Sequence, residues 1–125
     1  MVFDRAFLTG VEGVTELIFV RHGEQHIADP RSGPVGDTFD PPLSERGEKQ
    51  ANAVGERLSV DRVDVVYASP LKRALETGRQ IARPHRLEPV VMDDLREIEV
   101  FRDMPPEKSA VEYFGQGLLL GIRER

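Results

Sequence analysis

The sequence has none or few of several residue types that support particular chemistries. It contains no cysteine and no tryptophan, three histidines, and 6% aromatic residues in 125. The absence of cysteine excludes disulfides, thiolate catalysis and cysteine-ligated zinc, and it fits a reducing compartment, so we expect the cytoplasm. No apolar run approaches the ~18 residues that a spanning helix needs, and the N-terminal segment lacks the pattern of a signal peptide. We therefore expect no membrane partner.

The residues that are present are typical of a globular chain. Hydrophobic residues make up 39% of the sequence and charged residues 31%, and this length predicts one domain over residues 1–125. The formal net charge of −5 argues against a nucleic-acid partner, because such binding needs a clustered basic face. A few arginines placed together would still be enough to bind a small anion.

The segment Leu17 to Glu24, LIFVRHGE, is the most informative one. Its apolar first half predicts a central β-strand over Glu16–Val20, buried on both faces. Arg21, His22 and Gly23 would follow at the carboxyl end of that strand, where open α/β sheets bind ligands. Arginine matches phosphate oxygens with a planar fork of donors, and glycine allows close backbone approach. A strand that simply ends in polar surface would explain the same three residues.

Two helices are predicted downstream. Residues 27–42 are rich in proline and glycine and predict a long loop beside the site. Ser44 is a good N-cap for a helix over Glu45–Leu58, which carries an apolar stripe. Pro70 suits a helix start, so a second helix is expected over Leu71–Ala82, with Arg73 in its first turn and its N-terminus near Ser69.

Strands are expected between these helices. Val63–Tyr67 is rich in β-branched residues and predicts a second strand, and Pro89–Met92 predicts a short third one. Strands that alternate with helices are typical of an α/β fold with a parallel sheet.

Three ordered motifs accompany the LIFVRHGE segment: PPLSERGEKQA (Pro41–Ala51), YASPLKRALETG (Tyr67–Gly78) and LREIE (Leu95–Glu99). Together they resemble the histidine phosphatase superfamily, also called phosphoglycerate mutase-like, over roughly residues 15–101. The resemblance implies a three-layer sandwich, in which helices flank a mainly parallel sheet. Residues 1–14 would be an N-terminal extension and 102–125 a divergent tail.

The resemblance also implies roles for individual residues. His22 would be the nucleophile that becomes phosphohistidine, Arg21 and Arg73 would clamp the phosphate, and Glu97 would be the general acid. Neither a metal nor a cofactor is expected, and the substrate would be a phosphorylated small molecule or phosphoprotein. Further possible substrate contacts are Gly23, Glu24, Ser69 and His26. The alternatives are an ion pair of Glu24 with an arginine such as Arg46 and a plain loop position for His26. His85 is expected just past a helix C-terminus.

One departure from the family affects the functional prediction. Family members carry a second catalytic histidine in a His-Gly turn late in the chain, whereas neither His26 nor His85 lies in such a turn. We therefore expect an incomplete C-terminal part of the fold. A phosphomonoester hydrolase is favoured, and the alternatives are an impaired or truncated relative that binds a phosphorylated ligand and a mutase-type phosphotransferase. A homodimer formed by strand exchange is also compatible with the sequence.

Overall fold

The computed structural model describes residues 11–27 and 40–97. Two helices, two short strands and two 3-10 turns follow one another in this part of the chain. In chain order they are α1 (Glu45–Leu58), β1 (Tyr67–Ala68), α2 (Lys72–Ala82), a 3-10 turn (Arg83–His85), β2 (Val90–Val91) and a second 3-10 turn (Asp93–Leu95).

Both predicted helices are confirmed. Helix α1 has the predicted bounds, and Ser44 caps it by accepting a hydrogen bond from the Gly47 N–H at 3.1 Å. Acidic residues occupy its first turn and Arg57 its last turn, as the helix dipole favours. Helix α2 begins one residue later than predicted, because Leu71 is its N-cap.

The sheet is parallel, as predicted, and α2 connects its two strands. Tyr67 pairs with Val90 and Ala68 with Val91, and the Val90 N–H donates to the Val66 carbonyl at 2.8 Å. The third predicted strand is confirmed as β2. The second was predicted over Val63–Tyr67, but the ladder includes only Tyr67 and Ala68, so the prediction started too early.

The described core lies between β1 and the two helices. Val66, Ile81 and Ala82 are buried together, and four partly buried residues pack around them: Val54, Leu58, Val63 and Leu87. Helix α1 approaches α2 closely at Gly55, where a Cβ would overlap the carbonyl oxygen of Gln80. The helix pair and β1 therefore form the unit on which the site is built.

The prediction of a buried central strand at Glu16–Val20 is wrong for this structure. These residues form no ladder, and their apolar side chains are exposed, with Leu17 at 73% and Phe19 at 91%. An apolar run is buried as a strand only when other strands pair with both of its edges and layers cover its faces. Within residues 11–27 and 40–97, β1 and β2 pair only with each other.

The described residues contain part of the expected sandwich. Helix α2 packs on the sheet face that carries Val66 and Ala68, while Tyr67 and Val90 on the other face are exposed. A second helical layer is not found among the residues described. Most of the predicted loop, most of the N-terminal extension and the whole tail lie outside them. The helices described include none that is long and apolar enough to cross a membrane.

Candidate active site

The turn that carries His22 is attached to both helices by hydrogen bonds. The Gly23 N–H donates to Thr77 Oγ1 on α2 at 3.1 Å, and the Glu24 N–H donates to Gln50 Oε1 on α1 at 2.8 Å. The Ser44 N–H in turn donates to the Glu24 carbonyl at 2.9 Å, next to an antiparallel bridge between Gln25 and Leu43. The position of the turn is therefore set by side chains and backbone of α1 and α2.

Two glycines allow this attachment. A Cβ on Gly23 would overlap the carbonyl oxygen of Gly47, and a Cβ on Gly47 would overlap the carbonyl oxygen of Glu24. No side chain larger than hydrogen fits between the two backbones without a shift. The N-terminal turn of α1 therefore lies directly against the backbone after His22.

The hydrogen bonds of His22 define the state of its ring. Nδ1 lies 2.6 Å from the carbonyl oxygen of Gly23, and Nε2 lies 3.2 Å from Arg73 Nε. A carbonyl only accepts and a guanidinium only donates, so this network assigns the proton to Nδ1 and a lone pair to Nε2. The ring is neutral in this arrangement, and Nε2 is the nitrogen that can act as a nucleophile.

Arg73 connects His22 with Glu97. Its Nη2 lies 2.9 Å from Glu97 Oε2, while its Nε contacts the imidazole. The Arg73 side chain is 5% exposed and that of Glu97 is 72% exposed, so the ion pair has one buried and one open partner. The predicted nucleophile, phosphate-binding arginine and acid are thus brought together across more than 70 positions of sequence.

Arg21 lies next to His22 and is exposed. Among the described residues it has no carboxylate partner. A cavity of about 230 Å³ adjoins the turn and is lined by Arg21, His22, Gly23, Gln50, Ala51, Val54 and Thr77. Arg73 and Glu97 are not among its lining residues, so the cavity borders His22 without including these two partners.

The other predicted contact residues have partners of their own in the structure. Glu24 accepts from Ser44 Oγ at 2.8 Å and lies 3.6 Å from Arg46 Nη1, which confirms the predicted pairing with Arg46. Ser69 is buried at the turn before α2. His26 is exposed, and its backbone N–H donates to the Pro42 carbonyl.

His85 lies in the 3-10 turn after α2, as predicted, with Nε2 3.0 Å from the Leu58 carbonyl. It therefore joins the C-terminal ends of the two helices. The described residues contain no cluster of three or more histidine, cysteine or acidic side chains able to hold a metal ion.

Sequence reasoning missed two residues that position the turn carrying His22. Thr77 lies four residues after Arg73, on the same face of α2, and this spacing could have indicated a shared role. Gly47 lies inside the segment predicted as a helix, where glycine costs about 1 kcal/mol relative to alanine, and this cost could have indicated a packing reason for it.

Comparisons with known proteins decide the family. The sequence profile of the histidine phosphatase superfamily (branch 1) matches residues 17–111. The chain belongs to this superfamily. The matched range includes every residue to which the motifs assign a role.

Relatives and a solved structure agree with this assignment. Phosphoserine phosphatase 1 of Hydrogenobacter thermophilus is 42% identical over 89 residues, which cover 69% of this chain and 40% of that protein. A metal-independent phosphoserine phosphatase of Arabidopsis thaliana is 39% identical, covering 70% of this chain and 37% of its own length.

A mycobacterial glucosyl-3-phosphoglycerate phosphatase solved with VO3 is 27% identical, covers 82% of this chain and 48% of its own, and gives a TM-score of 0.53. The described helices and parallel sheet thus belong to the phosphoglycerate mutase-like fold. The chain spans about 40% of the length of the two phosphoserine phosphatases.

Proposed function

We propose that this chain is a metal-independent phosphomonoester hydrolase that acts through a phosphohistidine on His22. The observation that carries the proposal is the arrangement of the imidazole, whose Nδ1–H is held by the Gly23 carbonyl while Nε2 faces Arg73. This arrangement presents a lone pair beside a buried cation, where a phosphoryl group would be held and attacked.

The reaction has two steps. Nε2 attacks phosphorus, the ester P–O bond breaks, and Glu97 gives its proton to the departing alcohol oxygen. Water then attacks the phosphohistidine, Glu97 takes a proton from it, and the P–N bond breaks to release inorganic phosphate and restore the neutral imidazole. Arg73 positions Glu97 through one carboxyl oxygen, and because the side chain is 72% exposed, the carboxylate can take up from solvent the proton that it gives in the first step.

Arg21 and Arg73 would supply the positive charge for both steps. The transition state spreads negative charge over the equatorial oxygens of phosphorus, and fixed cations stabilise that charge. Arg73 is held by burial and by its place in the first turn of α2, but its Nε must release His22 Nε2 when the phosphate binds, because that lone pair is the one that attacks phosphorus.

The substrate that we propose is a small phosphomonoester. The relatives from H. thermophilus and A. thaliana are both phosphoserine phosphatases, so phosphoserine is the compound to test first. We also propose a cytoplasmic location, which rests on the cysteine-free composition.

A second function, binding of a phosphorylated ligand without turnover, is favoured by the other two histidines. His85 holds the C-terminal ends of the helices together and His26 is exposed, so neither adds a second imidazole to the contact between His22 and Arg73.

Trapping of the phosphorylated protein distinguishes hydrolysis from binding without turnover. The chain is mixed with an aryl phosphate in the presence of chelator, and phosphoprotein and released phosphate are measured. His22→Gln should abolish both, whereas His85→Gln serves as a matched control that keeps a polar group beside Leu58 and leaves the site intact.

Vanadate binding without phosphoprotein would favour the second function. Binding should then weaken in Arg73→Lys, because one ammonium cannot reproduce the fork that contacts His22 and Glu97. A folded chain that shows neither turnover nor vanadate affinity would refute both functions.

A further inference from the structure

The arginines of the described residues fall into two groups. Most of them lie within 4 Å of a carboxylate: Arg46 with Glu24, Arg57 with Asp61, Arg62 with Asp64, Arg73 with Glu97 and Arg96 with Asp93. The described arginines outside these pairs are Arg21, beside the nucleophile, and Arg79, Arg83 and Arg86. These last three line one cleft.

The cleft lies at the C-terminal end of α2. It has a volume of about 380 Å³ and is lined by Arg79, Arg83, Arg86, Leu87, Glu88 and Pro89. Because α2 turns by about 100° per residue, Arg79 projects from nearly the opposite face to Thr77. The cleft is therefore separate from the site around His22.

The backbone at Arg86 is unusual. It has a φ of 57°, in the left-handed region, and is the only non-glycine residue with positive φ among those described. The Leu87 N–H donates to the Ala82 carbonyl and the Arg86 N–H to the Arg83 carbonyl, the pattern of a Schellman motif. Glycine is preferred at this position because it avoids the steric cost that arginine incurs.

The helix dipole alone does not explain this arrangement. It favours cations near the C-terminal end of α2, which would account for Arg79 and Arg83. The dipole does not account for an arginine at a left-handed position. Arg79 and Arg83 also repel each other, because they are like charges four residues apart, and this repulsion offsets part of the stabilisation by the dipole. In a chain of net charge −5, three guanidinium groups that have no carboxylate partner within residues 11–27 and 40–97 and that line one cleft indicate a site for an anion.

We propose that Arg79, Arg83 and Arg86 bind a small molecule that carries a diphosphate or two neighbouring phosphate groups. Guanidinium groups match phosphate oxygens in pairs, and three of them suit more negative charge than one phosphate provides. Leu87 and Pro89 add an apolar floor for the body of an organic ligand. Glu88, also in the lining, offsets one of the three positive charges.

The test is a titration of the ¹⁵N-labelled chain with sodium pyrophosphate at constant ionic strength, followed by NMR. We expect saturable shifts of the amides of residues 83–89. Arg79→Gln combined with Arg83→Gln should weaken this binding by about tenfold or more, because charge-assisted hydrogen bonds are lost. The matched control, Arg57→Gln with Arg62→Gln, removes the same charge from exposed, paired arginines and should bind as the parent does.

The Arg86→Gly variant shows whether a loss of binding comes from the missing guanidinium group or from unfolding. The substitution places the preferred residue at the left-handed position, so we expect an equal or higher melting temperature together with weaker pyrophosphate binding. A titration with a nucleoside diphosphate distinguishes an organic ligand, which should bind more tightly than pyrophosphate, from an inorganic one, which should bind equally; either result supports the site.

Three results would overturn the proposal: no saturation, shifts that follow ionic strength alone, or equal weakening in the control pair. The outcome is separate from that of the proposed phosphatase function, because the same titration in His22→Gln should be unchanged at residues 83–89.

Discussion

Replacing Thr77 with valine tests how the turn that carries His22 is held. Thr77 is 4% exposed, and its Oγ1 accepts from the Gly23 N–H at 3.1 Å and donates to the Arg73 carbonyl at 2.8 Å. Valine keeps the shape but leaves the buried Gly23 N–H without an acceptor, which costs about 1–3 kcal/mol of the free energy of unfolding. Serine keeps the hydroxyl and loses one methyl group, at a cost of about 0.8 kcal/mol.

The two substitutions should differ more at the site than in stability. Displacement of a catalytic group by about 1 Å can cost on the order of a hundredfold in rate. We expect Thr77→Val to slow phosphohistidine formation by at least about tenfold, and Thr77→Ser to stay near the parent.

Urea unfolding gives the stability of each variant, and aryl phosphate trapping gives the rate. If valine and serine gave equal rates, Thr77 would only fill space. If valine also left the free energy of unfolding unchanged, the hydrogen bond from Gly23 to Thr77 would not contribute to stability.

Further substitutions test other parts of the structure. Gly47→Ala should lower stability by about 1–3 kcal/mol through overlap with a backbone carbonyl, even though alanine is favoured over glycine in a helix by about 1 kcal/mol. The exposed control Asn52→Ala should raise stability by up to about 0.7 kcal/mol on urea unfolding. A stable Gly47→Ala would contradict the close approach. Ser44→Ala removes the acceptor for the Gly47 N–H and should cost about 1 kcal/mol in the same assay; no loss would mean that the cap is dispensable. Phe19→Ser should change stability by less than about 0.5 kcal/mol, as at other exposed positions, whereas a loss of about 3–5 kcal/mol would show that the side chain is buried after all.

The elements that sequence reasoning predicted well depend on local signals. Helix α1 could be placed to the residue because the serine cap, the acidic first turn and the apolar stripe all lie within its own sequence. The Glu16–Val20 strand could not, because a strand needs neighbours, and the sequence of one strand does not show whether they are present. The exposure of Phe19 is thus a property of its surroundings, not of its own segment.

The candidate site likewise has one part that the sequence predicts and one part that it does not. The motifs predicted that His22, Arg73 and Glu97 belong together, and their contacts agree with that. The contacts that hold the turn, from Gly23 to Thr77 and from Gly47 to Glu24, join backbone atoms to distant residues, and no periodicity in the sequence encodes them. They depend on how α1 and α2 cross, which is a tertiary property.

The wrong strand prediction and the missed contacts of the turn after His22 have a common explanation. A side chain at the end of a strand is normally positioned by the sheet. Residues 14–20 form no ladder, yet His22 Nε2 lies 3.2 Å from Arg73 Nε. The hydrogen bonds from Gly23 to Thr77 and from Glu24 to Gln50 can hold the turn because both partners lie on helices that pack on each other. The contact between His22 and Arg73 therefore depends on α1 and α2 more than on the apolar segment Glu16–Val20, although that segment is what drew attention to His22 in the sequence.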